Sequence, residues 1–391
     1  MRIGTAARRV ISGAAAWVLL ATCAPSPPAR EPPDAARGSI AQPSGIAAHV
    51  AIAPSRVERY CAWFGDVRDG VLYFGEAAFW STTGASGTDP RADLEHRGPQ
   101  RVGRFDLAQE AFLPPLPTGA PGARSGTWDV LAHPNGRIYF TTFFERSGWV
   151  DPRSGASQRF AEAGLGLNEL ALGPDGQILV TRYGTPERSG SVVVLDPEGR
   201  VLAEHPLAPP RAGLVVAAKS LAFDPVRREV WVNSDLVPVD APATAEGHDA
   251  RVLDLASGRE RLRVEQPELH FMRFEPDGRG HFAWLDGRRL VLRSTEPGRA
   301  EPGAGREVLL DPDFPTEHDF VQDLSFAPDG GVIATRWSGV VHVVAPDGVV
   351  RTTRLPALSE GGLYYTAVAT GERLCATYCG EVTVVCAPAP N

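Results

Sequence analysis

The stretch "ELALGPDGQILVTRY", residues 169–183, is a hairpin written in sequence. An apolar run enters Pro-Asp-Gly and a β-rich run leaves it. Asp-Gly supplies the positive-φ positions that tight turns require. The pattern recurs as "DVLAHPNGRIYFTTF" (129–143), "SLAFDPVRREVWVNS" (220–234), "FMRFEPDGRGHFAWL" (271–285) and "DLSFAPDGGVIATRW" (323–337). Weaker copies are "AWFGDVRDGVLYFGE" (62–76) and "YTAVATGERLCATYC" (365–379).

Most copies continue into a second hairpin, as in "GSVVVLDPEGRVLAEHPL" (190–207) and "VVHVVAPDGVVRTTRL" (340–355). Four strands per unit, repeated at intervals of about 40–50 residues without helical periodicity, define an all-β propeller. Seven units predict seven blades; a six-bladed ring with one aberrant unit is the alternative. The seventh unit ends at "EVTVVCAPAPN" without a fourth strand, while "GIAAHVAIAP" (45–54) has strand composition and no partner. This N-terminal strand is expected in the last blade, closing the ring and hiding its edges.

The chain ahead of the repeats is not core. Arg2, Arg8 and Arg9 precede the short apolar run "VISGAAAWVLLA" (10–21), the arrangement of a signal peptide over residues 1–22. Leu20-Ala21-Thr22-Cys23 resembles a lipoprotein cleavage box, making Cys23 the expected lipidation site. Residues 23–45 are Pro-rich and read as a tether. Residues 46–391 form the expected single propeller domain. Export to a bacterial cell envelope follows, with the protein lipid-anchored at the outer membrane and facing periplasm or surface. The net charge of −8 and the lack of a basic patch argue against nucleic acid. A monomer is expected.

Four cysteines remain for the body. Their three pairings are open in principle. The turn near Gly380 sets Cys375 opposite Cys386, and Cys379 ends its strand where Cys61 begins the first unit. Cys61–Cys379 and Cys375–Cys386 are therefore the expected disulfides in an oxidising compartment, with buried reduced thiols as the alternative.

Aligning the repeats on their turns gives a column at the mouth of the central channel: Cys61, Trp128, Asn168, Lys219, His270, Gln322 and Tyr364. The next column is Ala62, Asp129, Glu169, Ser220, Phe271, Asp323 and Tyr365. Arg182 and Arg336 end second strands near the same rim, beside Tyr183 and Trp337. Two long connections, 76–101 (Trp80, His96) and 235–250 (Asp235, His248, Asp249), lie at that end, where binding function concentrates. Lys219 is the chain's single lysine among 38 arginines.

"NELALGPDGQILVTRYG" and "QDLSFAPDGGVIATRWSGVVHVVAPDG" resemble repeats of the senescence-marker-protein/gluconolactonase-like propellers, over most of residues 57–388. The resemblance implies a hydrolase or lyase with a divalent cation held at the channel mouth by a glutamate, asparagines and an aspartate. Asn168 matches one asparagine position. Cys61, Trp128 and Gln322 stand where other ligands would be; Glu169, Asp129 and Asp323 lie one residue along. Asn168, Glu169 and Asp323 are thus the metal candidates, since hard cations need converging oxygens.

A small-molecule or protein ligand at the mouth is the expected function. Trp128, Asp129, Asn168, Glu169, Arg182, Lys219, His270, Gln322, Arg336 and Trp337 are its candidate contacts. If the protein is an enzyme, His270, Lys219 and Asp323 are the candidates for acid–base or nucleophilic work.

Overall fold

The computed structural model describes residues 49–52, 60–78, 101–118, 126–142, 145–185, 187–239, 245–265, 269–297, 305–315, 319–358, 362–379 and 383–390. The signal segment, Cys23, the tether, Trp80 and His96 lie outside the described residues.

The repeats fold as read. The second unit pairs Val130–Ala132, Ile138–Phe140, Gly148–Val150 and Ser157–Arg159 into a four-stranded antiparallel sheet. Four more such sheets follow in chain order, opening with Leu167–Leu172, Leu214–Asp224, Leu269–Phe274 and Val321–Phe326. Asp175 and Gly176 have φ of 55° and 74°, so the Asp-Gly turn adopts the left-handed geometry its composition implied.

The sequence leads one to expect seven separate blades, or six. Among the described residues, five discrete four-stranded blades are present. The first and last units are merged into one eight-stranded sheet, because Cys61 of the first unit's inner strand pairs with Cys379 of the last. Backbone pairing at that seam removes the gap that would separate two blades. His49–Ile52 pairs antiparallel with Thr383–Pro388, supplying the missing outer strand. Disulfides join Cys61 to Cys379 and Cys375 to Cys386.

Apolar clusters lie between consecutive units. Val192 and Val194 meet Val216, Val230 and Val232 between units three and four. Trp231 meets Met272 and Phe282 between four and five. The circuit closes where Ala62, Leu72 and Phe74 of the first unit pack on Val368, Val384 and Cys386 of the last. Alternating strand residues face the next sheet, so the β period itself makes the ring adhesive.

Candidate functional site

Each long inner strand breaks register at the same place. The irregularities fall between Ala62 and Gly65, Leu167 and Leu170, Ala218 and Ser220, Leu269 and Phe271, Val321 and Asp323, and Tyr364 and Ala367. A bulge re-aims the side chains it contains, and such bulges favour functional rims. The residues at these bulges include Trp63, Asn168, Lys219, His270, Gln322 and Tyr365, and Trp128 holds the equivalent place ahead of the second unit's short inner strand.

Cys61 and Tyr364 therefore leave the expected column. The first and last units turn in two residues, Arg68 pairing with Val71 and Thr370 with Arg373. The third connects Leu172 to Ile178 through five. Counting back from the turn thus overshoots in the shorter hairpins. Cys61 is fully buried in its disulfide. The Tyr364 hydroxyl donates to the Pro356 carbonyl and its ring packs on Tyr378.

The corrected column has two unlike halves. In units seven, one and two, the Trp63 ring lies 4.2 Å from Trp128 and 4.7 Å from Tyr365, with Phe64 beneath. This half is a packed aromatic wall. Units three to six present Asn168, Lys219, His270 and Gln322. Asn168 Nδ2 donates to the Lys219 carbonyl at 2.9 Å, while its Oδ1 has no hydrogen-bond partner among the described residues.

Lys219 is not free. Its Nζ lies 2.5 Å from Oδ2 of Asp235, whose Oδ1 is 2.6 Å from Nδ1 of His248. Burial alone would push the Asp235 carboxyl up, but the Lys219 charge and the His248 hydrogen bond outweigh it and hold the pKa below the ordinary value. His270, on the next unit, is pushed down to about 4, chiefly by burial. Its Nδ1 accepts from the Val321 amide at 3.3 Å, so it stands neutral at physiological pH.

Below the mouth runs a layer of carboxylates. Asp66 accepts from Val67 and, across the interface, Ala132. Asp129 accepts from Val130 and from Leu170 of the next unit, at 2.8 and 2.7 Å. Glu169 accepts from Leu221 of unit four. Asp323 is bonded to Thr366 of unit seven, which receives the Gly65 amide at 3.1 Å. Arg273 of unit five faces all four acids, with Nη2 3.2 Å from Asp323. Burial dominates and raises Asp66, raises Glu169 well above its ordinary value, and carries Asp129 to about 7 and Asp323 to about 6. Arg273 nevertheless keeps 43% of its side chain accessible, so solvent reaches it along the channel.

Among the described residues, no three His, Cys, Asp or Glu side chains converge as a metal group. Asp129, Glu169 and Asp323 repel one another, yet their oxygens are turned onto backbone amides, Thr366 and Arg273. That donor set does not fit the cation implied by the family resemblance. Arg182 and Arg336 are already engaged, the second across the boundary between units five and six. Arg182 is bonded to Glu204 and the Ala163 carbonyl, and Arg336 clamps Asp319 and Asp311. Asp249 pairs with fully buried Arg251. Trp337 meets Phe320 edge to face at 5.1 Å.

Sequence reasoning missed Trp63, Asp66, Asp235 as the Lys219 partner, Arg273 and Phe320. Arg273 follows Phe271 of the second inner column by two residues and Asp66 follows Ala62 by four, both multiples of the strand period, and that spacing was the available signal.

An all-β propeller with a mixed aromatic and polar channel mouth is the class these observations define. A similar solved structure is that of a catalytically inactive histidine-to-alanine variant of virginiamycin B lyase from Staphylococcus aureus with quinupristin. It has a TM-score of 0.56 and 9% identity, covering 88% of this chain and 100% of that one. That likeness establishes the propeller fold. No protein-family model and no curated protein matches the sequence.

Proposed function

We propose that this protein is a lipid-anchored binding propeller of a bacterial cell envelope, taking a small molecule at the channel mouth. The observation that carries the reading is the Lys219–Asp235–His248 trio, together with the Trp63–Trp128–Tyr365 cluster on other inner strands. The first offers a cationic hydrogen-bond donor and the second an apolar face, the combination typical of ligand pockets. The eight-stranded sheet is read as first and seventh blades stitched at one seam, giving seven inner strands around the channel. Two disulfides suit an oxidising compartment, and Arg2, Arg8, Arg9 and Cys23 suit export and lipidation.

A thermal-shift screen of anionic and neutral metabolites against wild type and Lys219→Met tests the site. Anionic hits lost in the variant support it; hits indifferent to Lys219 and Trp128 substitutions refute it. Labelling with radioactive palmitate, abolished by Cys23→Ser, tests the anchor.

A second reading is a lyase or hydrolase, including the gluconolactonase-like kind. Neutral His270 at the mouth favours it, because an unprotonated imidazole can accept a proton. The lyase neighbour adds a fold-level analogy only. Incubation with simple lactones and with quinupristin decides: turnover abolished by His270→Ala supports an enzyme, and its absence leaves the binding reading.

A further inference from the structure

Unit five carries a hydrogen-bond chain at the end of its sheet remote from the mouth. Its inner strand Leu269–Phe274 begins beside the mouth at His270 and runs away from it into the Glu275–Arg279 turn. The Glu275 amide donates to the Arg279 carbonyl at 2.9 Å, which brings the two ends of the turn together. His281 follows, on the strand Gly280–Asp286. Its Nε2 lies 2.7 Å from Oε1 of Glu275. Its Nδ1 lies 2.9 Å from Oγ of Ser294, its cross-strand partner on Arg289–Thr295.

The order of donors and acceptors follows from the carboxylate. A carboxylate accepts and cannot donate, so Glu275 fixes the hydrogen of the neutral ring on Nε2. Nδ1 then carries the lone pair and accepts from the Ser294 hydroxyl. Burial, helped by Arg279, outweighs Glu275 and Asp277 and holds the His281 pKa below its ordinary value, so the ring is neutral at pH 7. His281 is 5% exposed and meets Phe326 of unit six edge to face at 5.6 Å, whereas Ser294 is only half-buried. Arg306 pairs with Ser294 on its other side and therefore shares its face of the sheet. Its Nη1 donates to the Pro346 carbonyl at 3.2 Å. A cation in that row favours negative charge developing on a substrate oxygen.

We infer that Ser294, His281 and Glu275 form an acyl-transfer site for carboxylic esters, with Ser294 as nucleophile, His281 as general base and Glu275 as positioning residue. Ser294 Oγ bonds to the ester carbonyl carbon while its proton passes to His281 Nδ1. The bond to the leaving alkoxide breaks, and the alkoxide takes that proton. Water then attacks the acyl-serine, giving a proton to Nδ1 that returns to Oγ as the acid departs. The site is remote from the mouth and independent of the binding reading.

Labelling of the purified mature protein with a fluorophosphonate tests it; Oγ bonds to phosphorus, fluoride leaves and the proton passes to His281. Peptide mass spectrometry is expected to find the adduct on Ser294, and Ser294→Ala to abolish both it and hydrolysis of 4-nitrophenyl acetate. His281→Gln should slow labelling at least about 100-fold, with melting curves confirming the fold. The labelling rate should rise with pH through a midpoint below the ordinary histidine value of about 6.5. Glu275→Gln removes a carboxylate that raises the His281 pKa, so it should move that midpoint lower still; an unmoved midpoint overturns the positioning role. If His281→Gln does not fold, the midpoint decides for the base. No adduct on Ser294, or one formed equally fast in folded His281→Gln, overturns the inference. A labelled Ser294 without ester turnover overturns the ester class.

Discussion

Lys219 Nζ sits 2.5 Å from Oδ2 of Asp235, a carboxylate whose side chain is only 2% exposed. The lone lysine of the chain therefore neutralises a buried acid while presenting its remaining donors to the rim. Lys219→Met should leave Asp235 with His248 alone and cost about 1 kcal/mol, the low end for an orphaned buried acceptor because water screens the pair. Asp235 has a depressed pKa, so its contribution is present above the unfolded aspartate range near 3.9 and fades as pH falls through the folded value. The gap between the urea midpoints of variant and wild type should begin to narrow below about pH 3.9 and close as pH falls through the folded value; an undiminished gap at the acid end would refute the assignment.

Asp129 and Asp323 act in the opposite sense. Their folded pKa values, about 7 and about 6, exceed the unfolded value, so the native state holds protons that the unfolded chain has lost. Their contribution to stability is full below about pH 4 and declines as pH rises toward 7. Asp129→Asn should flatten that decline. Chemical denaturation between pH 4 and pH 7.5 measures it, and an unchanged slope would count against a protonated carboxylate layer.

Among the described residues, Arg273 acts on all of Asp66, Asp129, Glu169 and Asp323. Arg273→Met should destabilise by about 1–2 kcal/mol at neutral pH, because the acids lose a counter-ion whose effect solvent partly screens. The loss should shrink at pH 4, where the acids are protonated. Equal destabilisation at both pH values would mean that Arg273 serves packing alone.

The two disulfides close very different loops, 318 and 11 residues. On the chain-entropy model, they are worth about 6 and about 3 kcal/mol. Replacing Cys61 and Cys379 with serine should therefore lower the melting temperature more than replacing Cys375 and Cys386. The reverse order in calorimetry would show that seam pairing, not the covalent link, closes the ring.

His270 should stay neutral across pH 5–8, given a pKa of about 4. Its proton chemical shifts should move only below about pH 5. A midpoint near 6.5 in an NMR titration would sink both the burial account and its use as a standing base.

Legibility followed local chemistry. The Pro-Asp-Gly hairpins, the partner for "GIAAHVAIAP" and both cysteine pairs could be read because each depends on turn residues and strand period, whereas the count of seven blades failed where the first and last units merge into one sheet. The column failed at Cys61 and Tyr364 because two-residue turns shorten those hairpins. The metal candidates Asn168, Glu169 and Asp323 looked like converging oxygens; the fold spends the two carboxylates on amides and side chains of adjacent units.

What the sequence by itself determined is the all-β repeat, the pairing of its N-terminal strand with the last unit and the equivalent places of Lys219, His270 and Asn168 in successive inner strands. Alternation and turn chemistry act over a few residues, so they are visible without a fold. Only the tertiary structure decided that unit seven is hydrogen-bonded to unit one, that Asp235 holds Lys219, and that Arg273 sits among four acids. Those are contacts between neighbouring sheets or across the channel. Their energies depend on burial and charge distance, which exist only once the ring has closed.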